Sequence, residues 1–480
     1  MADVDRHEHG DSDCRDHRDG THFLVVAYGL QGHLNPSRAL ARRLARVGAA
    51  VRVTLSVTVA AHGRMFPSLA SPDEEVSDGL ISYVPYSDGF GVVTRPRSAD
   101  ERARCRRESV ESLSAIVRRL AAAGRPVTCV VSALFLPAVD VAVQHGIPLA
   151  VYCVQSAAAF AAFYHYFHGY EQLVASHVGD PTYEVSLPGL GPLRIRDFPS
   201  FLVDATGSEH SMAMLQWLRE LFEHIGRGKA PKILMNTIDV LEATALQAMQ
   251  QHLDVFAVGP MIPRLHQIDS TEDHIHLCKK DQKGYIEWLD AQPDRSVVYM
   301  SYGSMVAYNR QQVEEILQGL RECGRPYLWV VRKDGRDEEV ERCLIENHSS
   351  EQGMILEWCD QLEVLSHPSV GCFVTHCGWN STLEAITLGV PLVAVPNWTD
   401  QALNAHLVED DWGVGVRAEL NADGLLVATE LTRCIEMVIG EGEKAANIQN
   451  SVKALKEKVQ TDVTEVELSL QNFIKAMQTP

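Results

Sequence analysis

Residues 370–389, VGCFVTHCGWNSTLEAITLG, constrain this chain more than any other stretch. The apolar run VGCFVTH reads as a short strand buried on both faces, as strands of a parallel sheet are. A turn opened by glycine then enters a helix that stops at Gly389. A buried strand feeding a helix calls for a parallel crossover unit rather than a hairpin. The junction also suits a phosphate, because free N–H groups and the positive end of the helix dipole converge there. His376, Asn380 and Ser381 can add side-chain donors. Glu384 follows one turn after Asn380 on the same face and suits a carboxylate accepting from ribose hydroxyls. The pattern is consistent with a nucleotide diphosphate.

The same alternation runs through the chain. HFLVVAY reads as a strand, GLQGHLNP as a turn, PSRALARRLARVG as a helix with Pro36 near its first turn, and VRVTLSV as a second strand. At 480 residues the chain exceeds one ordinary core. The expected architecture is α/β, with two Rossmann-like, doubly wound parallel-sheet domains facing a cleft. Residues 1–20 read as a disordered tail, 21–262 as the first domain, 263–283 as a polar linker, 284–460 as the second domain and 461–480 as a C-terminal helix. VSLPGLGPLRIRDFPSFL reads as a Pro-rich surface loop, and DGRDEEVERC as a polar insertion. The aromatics Phe160, Phe163, Tyr164, Tyr166 and Phe167 read as a helix that is core on one face and lines an apolar acceptor pocket on the other. GxGxxG is absent after the first strand, which disfavours a nicotinamide enzyme.

From Trp358 to Gln401 the chain resembles the signature box of the plant small-molecule UDP-glycosyltransferases (family 1), and the similarity extends to most of the sequence. That resemblance implies a GT-B fold, with the first domain binding the acceptor, the second binding the UDP-sugar, and the C-terminal helix returning to the first. It implies that Trp358 stacks on uracil, Gln361 lies beside the uridine and Glu384 holds the ribose. His376, Asn380 and Ser381 would hold the diphosphate, with Ser304 of the SYGS turn as a further donor. Trp379, Asp400 and Gln401 would face the sugar, and a box ending in Gln is the pattern of glucose users.

His33, in the turn after the first strand, is the candidate base, since a histidine near neutral pKa suits proton removal from a hydroxyl. A capping histidine is the bland alternative, and the likeness of QGHLNP to the family's catalytic motif weighs against it. The family commonly places an Asp that orients this histidine where Ala133 stands, and a residue is missing after Pro137. Asp140 reads as a structural helix-start residue. Without the carboxylate, the imidazolium formed on proton abstraction is less stabilised, which shifts weight to acidic acceptors. A branch of the family with similar YSDGF, NTIDVLE and YIEWL segments also tends to lack the Asp, and includes makers of glucose esters and phenolic glucosides.

The expected activity is therefore inverting transfer from UDP-glucose to a hydroxyl or carboxyl of a small plant metabolite: a flavonoid, a phenolic or a carboxylic acid. UDP-glucose enters as substrate, and no cofactor is expected. The alternative is a UDP-sugar-binding sensor or scaffold impaired in catalysis; an epimerase would need further acidic residues in the cleft. A formal charge of −20, from 43 basic and 63 acidic side chains, argues against nucleic acid and anionic membrane as partners. No apolar run is long enough to span a bilayer, the polar N-terminus has no secretory core, and eleven cysteines lack paired spacing, so a cytoplasmic location is expected. Family precedent is monomeric. Cys372, His376 and Cys377 match no ordinary zinc spacing, and His7, His9, Cys14 and His17 lie in the tail, so no metal site is expected. His367 reads as structural, and Trp329, Trp398 and Trp412 as core.

Overall fold

The computed structural model describes residues 20–48, 50–90, 98–226, 231–262, 284–303, 306–346 and 352–478. Residues 1–19 of the expected tail, the expected linker 263–283 and Ser304 lie outside them.

Among the described residues two sheets carry the architecture, beside a two-stranded ribbon. The first has eight strands in the edge-to-edge order Val255–Ala257, Lys232–Met235, Leu149–Cys153, Cys129–Ser132, Thr21–Val26, Val51–Ser56, Ser82–Tyr83 and Val76–Ser77. Every pairing is parallel except the last. The second has six strands, all parallel, in the order Gly353–Leu356, Tyr327–Val330, Val297–Ser301, Val370–Thr375, Leu392–Ala394 and Gly415–Arg417. Apolar runs such as Thr21–Val26 and Val370–Thr375 are buried at every residue, as strands covered by helices on both faces must be. In each sheet the chain order reverses beside a central strand, and crevices open at such switch points beyond the strand C-termini. The first lies beyond Val26 and Ser132, the second beyond Ser301 and Thr375.

The last helix, Val463–Gln478, packs on the first sheet. Leu470, Phe473 and Ile474 join the core around Phe23, with Phe473 ring centroids 5.7 Å from those of Phe23 and Phe256. Gln478 Nε2 donates to Thr21 Oγ1 at 2.9 Å. Among the described residues no helix is long and apolar enough to cross a membrane.

Several expectations change. The first helix starts at Gln31, so His33 stands in its opening turn and Pro36 lies inside it. Pro36 has no N–H for the Gly32 carbonyl four residues back, and Asn380 Nδ2 of the second sheet's helix takes that carbonyl at 2.8 Å. The polar insertion holds a helix, Glu338–Glu346, because Val340, Cys343 and Leu344 fall on one buried face. VSLPGLGPLRIRDFPSFL is not a surface loop. Leu193, Ile195, Phe198 and Leu202 are buried, and Asp197, with no exposed surface, accepts from Arg194 Nε at 2.7 Å and from Arg417 Nη1 of the second sheet at 2.6 Å. Apolar residues set among the prolines dock against the other domain, a partner that local composition does not reveal. Helix Ala157–His165 is enclosed almost all round, and Phe163 is its contribution to the cavity described below.

Candidate active site

A cavity of about 990 Å³ joins the two switch points. At its second-domain end, strand Val370–Thr375 turns through Cys377, whose φ is 59°, into helix Trp379–Leu388. Gly378 is the N-cap residue and has no side chain, so the first N–H groups of this helix face the turn uncapped. His376 is held between two glycines. A Cβ on Gly303 would come within 2.7 Å of its ring and one on Gly378 within 2.6 Å. Burial pulls the His376 pKa down to about 4, so the imidazole is neutral and acts as a hydrogen-bonding group rather than a cation. The local charge for an anion therefore comes from the helix end.

Further along the same helix face stand Ser381 and Glu384. Gln361 Nε2 donates to Ser381 Oγ at 2.9 Å and to Glu384 Oε2 at 2.6 Å, while its Oε1 accepts from Tyr299 OH at 3.3 Å. Gln361 opens helix Gln361–Ser366, which Asp360 caps by accepting from the N–H groups of Leu362 and Glu363. Burial raises the Glu384 carboxyl to about 7, against the partial support of Gln361. Trp358 lines the cavity beside them. The arrangement offers an aromatic face, an amide and a carboxylate in a row, ending at a helix N-terminus.

Asp400 and Gln401 are each 5% exposed and line the cavity next to this end. Gln401 Oε1 accepts from the N–H groups of Asn397 at 2.9 Å and Trp398 at 3.1 Å, which leaves its amide nitrogen available to the cavity. Asp400 accepts from Thr399 Oγ1 and Asn404 Nδ2, both at 2.8 Å. Trp379 is placed differently from the expectation that it faces a sugar. Its ring is buried against Trp412, with centroids 6.2 Å apart, and its Nε1 donates to the Asn236 carbonyl at 2.8 Å. What it can offer a ligand is its main-chain N–H in the first helical turn.

His33 enters from the opposite side. Its Nδ1 is buried and has no hydrogen bond among the described residues. Burial lowers the pKa of this imidazole, while the Ala133 carbonyl and the Asp400 charge oppose that shift. Asp140 is not a substitute for the missing carboxylate, since Arg106 holds it through Nε at 2.7 Å and Nη2 at 3.0 Å. Nor does it start its helix: it lies in the middle of Leu136–His145.

Tyr28, Phe135, Phe163, Met214 and Trp217 form an apolar part of the remaining wall, whose other lining residues include Arg42, Arg43 and Arg102. Trp398 joins it beside His210, with centroids 5.9 Å apart, instead of lying in the core as Trp329 does. Sequence reasoning missed Phe135, which precedes helix Leu136–His145, and Met214 and Trp217, which stand one turn apart on helix Glu209–Gly226, an i, i+3 spacing that could have found them. Tyr299, in the middle of strand Val297–Ser301, and Asn236, just past strand Lys232–Met235, were missed as well, being recognisable only once their partners are in place.

Residues 231–455 match the family described as UDP-glucuronosyl and UDP-glucosyl transferase. The chain is similar to a crocetin glucosyltransferase, chloroplastic, of Gardenia jasminoides, at 41% identity covering 91% of this chain and 92% of that one. It is 39% identical to a phloretin 4'-O-glucosyltransferase of Malus domestica, over 94% and 96% of the two chains. The crystal structure of Os79 from O. sativa, in complex with U2F and trichothecene, superposes with a TM-score of 0.77 at 27% identity, covering 95% of this chain and all of that one. Two facing doubly wound sheets of this kind are the GT-B fold.

Proposed function

The chain belongs to the plant UDP-glycosyltransferases, and on that premise we propose that it is an inverting UDP-glucose-dependent glucosyltransferase of small acidic acceptors, phenols and carboxylic acids. The observation that carries the reading is a single cavity with His33 on one wall and Asp400 and Gln401 on the other. In that arrangement Trp358, Gln361 and Glu384 take the uridine, and Ser381, Asn380 and the helix end take the diphosphate. Ser304 serves the same group by sequence. Asp400 and Gln401 take hydroxyls of the sugar. The acceptor oxygen attacks the anomeric carbon from the His33 side, the bond to the diphosphate oxygen breaks, and UDP leaves with the electron pair. Attack opposite the leaving group inverts the α-linked donor to a β-product.

Proton removal decides the acceptor class. Among the described residues His33 has no carboxylate partner at Nδ1, and burial disfavours its charged form. An alcohol needs that charged form to appear during reaction, a phenol needs it less, and an ionised carboxylic acid does not need it. The mouth of the cavity also favours an anion. Arg102 there holds Glu209, an exposed carboxylate that an acceptor carboxylate can displace. Names of relatives, glucosyltransferases of crocetin and of phloretin, support glucose as the sugar and a small metabolite as acceptor.

The test is product formation from UDP-glucose with a panel of aliphatic alcohols, phenols and carboxylic acids, read by mass and by lability to hydroxylamine. Adducts on phenols and labile adducts on acids, with little on alcohols, are expected. Efficient transfer to unactivated alcohols would overturn the acceptor reading, and binding of UDP-glucose without transfer to any acceptor would overturn the activity.

A further inference from the structure

Asp400 is offered to the cavity from a strained turn. Thr399 before it has a φ of 59°, a left-handed conformation that costs a residue with a Cβ, and nothing within the turn itself steadies the carboxylate beyond the Thr399 hydroxyl. Two hydrogen-bond systems hold it, and both end in the first domain. In the first, fully buried Asn404, one helical turn after Asp400, donates from Nδ2 to Asp400 Oδ2 at 2.8 Å and to the Cys377 carbonyl at 2.9 Å. A carbonyl can only accept, so the Cys377 contact fixes which way the amide faces. Asn404 Oδ1 is then left for Ser156 Oγ of the first domain, which donates to it at 2.9 Å. Ser156 is also buried, and it caps helix Ala157–His165 by accepting from Ala159 N at 3.2 Å. In the second system, Ser200 N donates to the Thr399 carbonyl at 2.8 Å, and Thr399 N donates to Ser200 Oγ at 2.7 Å.

We propose that Asn404 and Ser156 are positioning residues for the donor sugar, so that the first domain, which supplies no sugar-binding group of its own in this scheme, completes the sugar subsite of the second. Neither residue lines the cavity. They act through Asp400: with the amide in place the carboxylate keeps one orientation and one oxygen satisfied, and without it a buried acceptor loses its donor and the carboxylate turns. The inference rests on the reading of Asp400 as a sugar contact. It separates two parts of donor binding, because UDP alone does not need the sugar subsite, whereas UDP-glucose does.

The experiment measures affinities of UDP and of UDP-glucose by calorimetry on the full chain and on N404A, S156A, S156T and D400A. Loss of a hydrogen bond that orients a charged group is expected to weaken UDP-glucose about tenfold more than UDP in N404A, and about threefold more in S156A. S156T keeps both the helix cap and the donor and is expected to restore the ratio. Equal weakening of both ligands would make the residues merely structural and overturn the proposal, as would an unchanged ratio in S156A and N404A where D400A shifts it. If D400A itself leaves the ratio unmoved, the sugar reading of Asp400 fails instead. Should N404A not fold, S156A against S156T decides the same point.

Discussion

Consider Glu384→Gln, compared with the parent chain for UDP binding between pH 6 and 8. The parent carboxyl, raised by burial, titrates near pH 7 in the empty site. Its ionised fraction is then about one tenth at pH 6 and nine tenths at pH 8, so if the carboxylate is the form that accepts ribose hydroxyls, affinity rises roughly ninefold from pH 6 to pH 8. The diphosphate of UDP also titrates, but it does so against both proteins and cancels in their ratio. Glutamine is uncharged throughout, so the parent's advantage is expected at about tenfold at pH 8 and to close towards unity at pH 6. Calorimetry in buffers of different ionisation enthalpy checks the same event independently: at pH 7 the parent is expected to release roughly half a proton more on binding than the variant does. The sign for stability follows. A carboxyl raised from 4.5 to about 7 favours the folded state below pH 4.5 and loses that contribution as pH rises through 7, by up to about 3 kcal/mol in the empty protein. Donor hydroxyls relieve that cost, so UDP should raise the melting temperature more at pH 8 than at pH 6. A parent-to-variant ratio that stays constant with pH, together with proton-neutral binding, would refute the reasoning.

His33→Ala should lower kcat about 10²- to 10⁴-fold with phenols and much less with carboxylic acids, measured as initial rates on matched acceptor pairs. Asp197→Asn should destabilise the chain by about 3–5 kcal/mol in urea unfolding, because Arg417, whose side chain is 12% exposed, is left without its carboxylate. Burial by itself would raise the Asp197 pKa, but His406, Arg194 and Arg417 together hold it down to about 2. Its contribution is therefore present above the unfolded value near 3.8 and lost as pH falls through 2, which acid unfolding of the variant and parent should show by converging at the acid end. Burial meanwhile pulls Arg417 below its usual range, against the support of Asp197. Gly303→Ala should weaken UDP-glucose and UDP alike, since φ is 73° there and the new Cβ would press on the His376 ring; a crystal structure showing that ring displaced would confirm the cause.

Much of this protein was legible because its information is local. A strand buried on both faces, a glycine turn and a helix ending at a left-handed glycine are written within twenty residues, and residues 370–389 adopt that arrangement. The one-turn spacing that brings Asn380 and Glu384 together is likewise a property of any helix. The same rule could have found Asn404, four residues after Asp400, had its helix been weighed.

What the sequence left open are the contacts between distant segments. The family resemblance implies that Trp379 faces the sugar, yet its indole N–H goes to Asn236 in the other domain. The Gly32 carbonyl, freed by Pro36, is taken by Asn380, 348 residues away. Asp197, in a segment that composition assigns to the surface, lies at the centre of an interdomain charge cluster. Periodicity determines which face of an element is apolar, because that depends on side chains a few residues apart. Which buried donor meets which acceptor across the cleft depends on how two separately built sheets dock, and the pairs that decide this contribute no pattern to the local chain.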